Sequence, residues 1–211
     1  MNQLEAQSVK LPRPIHDEII AHAREGKPEE ICGVLRGRGM EALELIRGRN
    51  VASERIDNYE VDPQTLLLQF KFEEAGDAMM GIYHSHPISV AYPSATDAWN
   101  AHYPDAVYFI CSLEFDNAPV IRAFGMNTHF MDGVTSAQAA AIRNSARFFE
   151  IRPNSSVYAH YVERSATLAN AILQLAEPVQ PPLYVEYFAD DTEIFDLRII
   201  EITEYPIEVT A

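Results

Sequence analysis

Gly81-Ile82-Tyr83-His84-Ser85-His86-Pro87 is an apolar run that closes on two histidines and a proline. With Met79 and Met80 before it, the run to His84 reads as a strand. Side chains alternate along a strand, so His84 and His86 point to the same side. Proline donates no ladder hydrogen bond, so Pro87 stops the strand and leaves the pair at its C-terminal end. A pocket can open there. Two imidazoles on one side of a strand end are a natural pair of metal ligands. Polar surface histidines or core histidines are the plainer reading, and a His-x-His alone does not decide between them.

The following residues add to the pair. Pro87 to Pro93 must be a loop. Ser94-Ala95-Thr96-Asp97 then starts a helix, with a serine followed three positions on by an acid, as in a capping box. A loop that returns to a helix start can bring one carboxylate back over two histidines. Two neutral imidazoles and a carboxylate suit Zn²⁺ and leave a fourth position for water, as in a catalytic site. Simple capping also accounts for Ser94 and Asp97, and Ser94 can do both jobs. A metal-bound water needs a base. Pro28-Glu29-Glu30-Ile31-Cys32-Gly33 offers two acids at the start of an earlier strand. Solvent-exposed caps are the alternative reading of both.

Around this centre the pattern is that of a mixed α/β layer architecture. Pro14 to Glu25 reads as a helix, with Ile15, Ile19, Ile20 and Ala23 at helical spacing and Gly26 ending it. Ile31 to Arg36 is expected to be a buried strand, Gly37-Arg38-Gly39 a turn, and Ala42 to Ile46 the partner strand. Asp62-Pro63 opens a helix whose apolar side is Leu66, Leu67, Phe70 and Phe72. Val107 to Leu113 and Val120 to Phe124 read as strands. Thr135 to Phe149 and Ser156 to Ala176 read as helices, Leu183 to Phe188 and Phe195 to Ile202 as strands.

Composition narrows the partners. The 211 residues hold 31 acidic against 16 basic side chains, a net charge of -15. That argues against nucleic acid as main partner, because phosphate binding needs clustered Lys and Arg. It argues equally against an anionic membrane surface. The acids crowd the C-terminal stretch, from Glu186 through Asp190, Asp191, Glu193 and Asp196 to Glu201, Glu204 and Glu208, against Arg198 alone. A solvated face is expected there, or a surface for a basic partner. Cys32 and Cys111 each sit in an apolar run and read as small hydrophobes. Two cysteines make no disulfide framework, and a reducing cytoplasm fits. No run approaches the roughly 20 apolar residues of a membrane span. Met1 to Lys10 lacks the pattern of a signal peptide.

Glu30-Ile31-Cys32-Gly33-Val34-Leu35, then His84-Ser85-His86-Pro87, then Ser94-x-x-Asp97 with ten residues between His86 and Asp97, resembles the JAMM (MPN+) zinc metallopeptidases. Asn50-Val51-Ala52, Tyr59-x-Val61-x-Pro63 and Val120-Ile121-Arg122-Ala123-Phe124 also resemble family segments. The resemblance covers about residues 12 to 125. It implies an α/β fold, a mixed β-sheet flanked by helices in the three-layer, cytidine-deaminase-like manner. It implies that His84, His86 and Asp97 hold Zn²⁺. It implies that Glu30 takes a proton from the metal's water and passes it to the leaving amine, and that Ser94 stabilises the oxyanion. Glu30 is chosen over Glu29 because the family's Glu lies two residues before the Cys-Gly pair. The form Glu-x-Cys-Gly-Val-Leu is most similar to members acting on ubiquitin-like sulfur-carrier proteins. The implied reaction is hydrolysis of the amide at the C-terminal glycine of such a carrier, for instance releasing cysteine.

Two other classes compete: a silent scaffold of the same fold, and another zinc hydrolase or a cupin-type metal protein. A catalytically silent scaffold of the same fold lacks metal ligands or the Glu, which this chain keeps. A cupin's His-x-His is followed within a few residues by a Glu, and Ile88 to Ser94 contains no acid. Zinc deaminases need a Pro-Cys-x-x-Cys pair, which is missing. Residues 126–180 are expected to be a helical insertion or extension of unassigned role. Their apolar stripe of Val157, Tyr161, Leu168, Ile172 and Leu175 reads as core packing, or as a homodimer or carrier surface. Residues 181–211 are expected to form an acidic β segment that can close the core sheet.

Overall fold

The computed structural model describes residues 7–131, 135–143, 149–150, 156–163, 179–189 and 194–211. In chain order the elements are β1 (Val9–Pro12), α1 (Arg13–Gly26), β2 (Cys32–Arg38), β3 (Glu41–Gly48), α2 (Pro63–Leu66), α3 (Leu68–Glu74), β4 (Ala78–His86) and α4 (Ala95–Trp99). There follow β5 (Val107–Ser112), β6 (Val120–Phe130), α5 (Ser136–Arg143), β7 (Phe149–Glu150), β8 (Val157–Val162), β9 (Leu183–Ala189), β10 (Ile194–Tyr205) and β11 (Ile207–Thr210). The chain forms two compact units.

The first unit comprises Met1–Tyr92, Asp105–Gly125 and Glu204–Ala211. Its mixed sheet runs β11-β1-β3-β2-β4-β5-β6. β2 pairs antiparallel with β3 and β4, while β4 pairs parallel with β5. A parallel neighbour needs a long crossover, and the stretch between His86 and Val107 supplies it. From Met80 to His86 every residue of β4 is buried, as is all of β5. Such continuous apolar runs belong to strands covered on both faces. On one face α1 buries Ile15, Ile19, Ile20 and Ala23, the four positions that the helical spacing singled out. They join Leu11, Leu35, Tyr83, Phe109 and Cys111 in one apolar core. Each such large apolar side chain contributes about 1.5–3 kcal/mol of burial free energy.

The Cys-Gly pair of β2 has a packing reason. A Cβ on Gly33 would run into the Ile46 carbonyl oxygen and stand 2.5 Å from Cε1 of Tyr83. The ring of Tyr83 lies where a side chain would be. Gly33→Ala is therefore expected to lower stability by about 1–3 kcal/mol through overpacking. Urea unfolding of the two proteins measures it, and equal midpoints would show that the strands shift freely.

Two sequence expectations need correction. Leu67 and Phe70, assigned to the apolar side of a single helix, are 57% and 54% exposed. The helix breaks at Leu67 into α2 and α3, so the spacing no longer runs on one stripe, and of α3 only Phe72 is buried. The Asp62 cap is as expected, its side chain accepting from the Thr65 N–H. The N-terminal stretch, to which the sequence reading assigned no element, contains β1. It pairs in parallel with β11 from the far end of the chain. The other correction belongs to the second unit.

That unit comprises Pro93–Pro104 and Met126–Thr203. Its sheet runs β10-β9-β8-β7, antiparallel throughout. The helix expected from Ser156 is instead the strand β8 over Val157–Val162. Val-Tyr-Ala-His-Tyr-Val is β-branched and aromatic, the composition of a half-buried pleated surface, and Val157, Ala159 and Val162 are buried. Leu168, Ile172 and Leu175, the rest of the expected stripe, lie outside the described residues. A second apolar core gathers Ile142, Val162, Leu183, Val185, Leu197 and Ile199.

Candidate metal centre

His84 and His86 stand at the end of β4, fully buried and 5% exposed respectively. Their Nε2 atoms face each other at 3.1 Å. Nδ1 of His86 donates to the Val90 carbonyl at 2.8 Å. A carbonyl only accepts, so the His86 proton sits on Nδ1 and Nε2 offers its lone pair outward, as a metal ligand must. The loop that supplies this carbonyl is itself tied down. Ser112 Oγ donates to Ser89 O at 2.6 Å, and Arg122 donates to Ala91 O at 3.1 Å while its fork grips the Glu204 carboxylate. The ring of His84 stacks on Tyr59, centroids 4.1 Å apart.

Ser94 caps α4 as the sequence suggests. Its hydroxyl oxygen accepts from the Asp97 N–H at 3.1 Å, and its own N–H donates to Asp97 Oδ2 at 2.7 Å. Asp97 is thereby oriented within the first turn and buried. One ligand atom each from His84, His86 and Asp97 lie within 4.8 Å of one another. Two imidazoles and a carboxylate at that spacing can hold a metal ion, and the orientation of His86 by a carbonyl agrees with that use.

Glu29 and Glu30 part company. Glu29 is half-exposed and pairs with Arg55 at 3.0 Å. Glu30 is 6% exposed. Cys32 pairs with His84 across β2 and β4, and Ile31 exchanges hydrogen bonds with Ser85, its N–H to Ser85 Oγ and its carbonyl from the Ser85 N–H. Continued by one more residue, the register sets Glu30 opposite His86. Asn50 fixes this segment from the side. Its amide nitrogen donates to Glu30 O and Asn58 O, and its amide oxygen accepts from Ala52 N–H and Glu60 N–H. All four hydrogen-bonding positions of one side chain are used. The sequence shows an asparagine in a polar stretch and gives no hint of that.

Neither cysteine is a nucleophile. Burial pushes both thiols up to about 12, so they stay protonated at neutral pH.

Glu186 is the acid that sequence reasoning misplaced. Counted there among solvated residues, it is fully buried in the middle of β9. Neither carboxyl oxygen has a hydrogen-bond partner among the described residues. Burial raises its pKa well above the ordinary range, Arg198 counteracts, and the charge of Asp97 raises it further. Trp99 meets Phe188 edge-on, ring centroids 5.2 Å apart.

Residues 12–127 match the prokaryotic homologues of the JAB domain, more than half of the chain. The chain belongs to this family. Among curated proteins it is 43% identical over 113 residues to the desampylase of Haloferax volcanii, covering 49% of this chain and 80% of that one. It is 34% identical over 108 residues to the CysO-cysteine peptidase of Mycobacterium tuberculosis, covering 50% and 74%. To a probable TtuB-protein conjugate cleaving protease of Thermus thermophilus it is 35% identical over 94 residues, covering 44% and 63%. Among solved structures, a protein from Desulfitobacterium hafniense shares 33% identity with a TM-score of 0.50, covering 56% of this chain and 83% of that one. Among the described residues no helix is long and apolar enough to cross a membrane.

Proposed function

We propose that this JAB-family chain is a zinc metallopeptidase that hydrolyses the amide or isopeptide bond at the C-terminal glycine of a ubiquitin-like or sulfur-carrier protein. The observation that carries the reading is the convergence of His84, His86 and Asp97 at the end of β4. Two nitrogens each about 2.0–2.1 Å from a tetrahedral zinc stand about 3.3 Å apart. The two Nε2 atoms are 3.1 Å apart, so the two imidazoles fit the ion without rearranging the strand. The related peptidases, two of which act on named protein conjugates or on a cysteine adduct, supply the substrate class.

The ion, when bound by His84, His86 and Asp97, polarises the scissile carbonyl and lowers the pKa of water to about 7. Glu30 takes a proton from the attacking water and passes it to the departing amine, general base and then general acid. Its burial excludes bulk water as a competing proton acceptor. Ser94 Oγ already accepts the Asp97 N–H, which leaves the hydroxyl proton to donate to the tetrahedral oxyanion. Such a donor is worth about 10²–10³ in rate. An extended carrier tail reaches the site by main-chain pairing.

Mass spectrometry tests the reading. A ubiquitin-like sulfur carrier extended at its terminal glycine by one cysteine is incubated with the zinc-loaded chain. Loss of one cysteine mass is expected. An unchanged carrier, with zinc bound and the protein folded, overturns the assignment of cysteine as leaving group. A lysine-linked conjugate run beside it then decides whether the peptidase reading survives.

A further inference from the structure

The helix that carries Asp97 cannot hold itself in place. α4 has five residues, and isolated helices shorter than about 12–15 residues are marginal in water. Its capping box fixes the first turn internally and says nothing about where that turn sits. The segment Pro93–Pro104 belongs by its contacts to the second unit, and the contacts are specific.

β9 presents Tyr184, Glu186 and Phe188 on one face, since alternate residues share a face. Tyr184 Oη donates to the Pro93 carbonyl at 2.8 Å, one residue before the cap, in a buried position. Phe188 meets the Trp99 ring at the other end of the helix. Arg198 on β10 lies directly opposite Glu186 in the ladder. Its guanidinium lies 3.8 Å over the Trp99 ring and donates to the Trp99 carbonyl at 3.3 Å. The Pro93–Trp99 segment is thus gripped at both ends from two neighbouring strands. Between the grips, Glu186 feels the charges of Asp97 and Arg198.

We infer that β9 and β10 are the platform that positions the Ser94–Asp97 turn, with Tyr184 and Arg198 as positioning residues that set how tightly the Asp97 carboxylate serves a metal ion. The inference rests on the metallopeptidase reading. It gives residues beyond about 126, which lie outside the matched family segment, a task in that reaction. Neither side chain touches the reacting atoms, and each acts through the backbone carbonyl it grips.

The test uses the full-length chain with Tyr184→Phe and, separately, Arg198→Gln. Tyr184→Phe keeps the buried ring and removes one hydrogen bond. If Arg198→Gln fails to fold, Tyr184→Phe carries the test alone. Three quantities are read: thermal unfolding without zinc, amide hydrogen exchange over Ala95–Asn100 without zinc, and Zn²⁺ affinity by chelator competition. Loss of an outer partner typically costs 10–100-fold in metal affinity. The expected result is Zn²⁺ binding weakened about 10-fold or more and faster exchange over α4, with the unfolding temperature nearly unchanged. A purely structural role would lower the unfolding temperature and leave the affinity of the folded protein alone. Wild-type affinity in the folded variants overturns the inference whatever the exchange shows. A wild-type chain that takes up no Zn²⁺ overturns the metal reading itself, and α4 exchange then decides the anchoring alone.

Discussion

Asp97→Ala is expected to bind Zn²⁺ more than 100-fold more weakly than wild type in competition with a chelator. Loss of a partner one shell out costs 10–100-fold, and the loss of a ligand exceeds it. Two neutral imidazoles remain, with no anionic donor to offset the charge of the ion. The substitution also removes half of the capping box, because Asp97 Oδ2 accepts the Ser94 N–H. A disordered helix start would lower the affinity for a different reason. Asp97→Asn separates the two causes. The amide oxygen still accepts the Ser94 N–H, while the negative charge is gone. Both variants should lose the metal, whereas only Asp97→Ala should lose protection of the first α4 amides from exchange. Stoichiometric zinc in Asp97→Asn, counted by elemental analysis after dialysis, would remove Asp97 from the ligand set.

How much of this was legible depends on the range of the interaction. The β4 end is written locally. Alternation fixes which side His84 and His86 face, proline fixes where the strand stops, and a serine with an acid three residues on fixes a helix start. Each is a matter of a few covalent neighbours, and each is found in the structure. The same holds for α1, whose four buried positions follow from helical spacing.

What failed to show were features set by distant partners. β1 is four residues long and owes its existence to Ile207–Thr210, nearly the whole chain away. Val157–Val162 allowed both a helical stripe and an alternating strand, and its neighbours β9 and β7 decide the matter. Short apolar runs carry that ambiguity by nature. Glu186 was hidden by its surroundings in sequence. Counting acids along the C-terminal stretch averages over a strand whose first five residues are all buried. When both faces of a strand are covered, alternation no longer marks which side is wet. Asn50 shows the same limit, since four hydrogen bonds to residues from Glu30 to Glu60 cannot be read from one letter.

Glu30→Gln is expected to keep its zinc and lose turnover by about 10²–10⁴-fold, the range for a positioned general acid–base group. The amide is nearly isosteric with the carboxyl, so the buried site is filled as before. Glu30 is also held by its backbone, through Asn50 Nδ2 on its carbonyl and its own N–H on Arg55 O. The substitution leaves both bonds intact. What disappears is the capacity to take up a proton, which an amide lacks at any relevant pH. Glu29→Gln is the matched control. Glu29 is 45% exposed on its side chain and, among the described residues, pairs only with Arg55 at the surface, and such pairs contribute little. Its cleavage rate should equal that of wild type. Both variants are assayed on the cysteine-extended carrier after their zinc content has been confirmed. A zinc-replete Glu30→Gln that releases cysteine at the wild-type rate would place the base elsewhere. Loss of activity in Glu29→Gln instead would move the role by one residue, to the acid that faces solvent, and would break the register argument that sets Glu30 opposite His86.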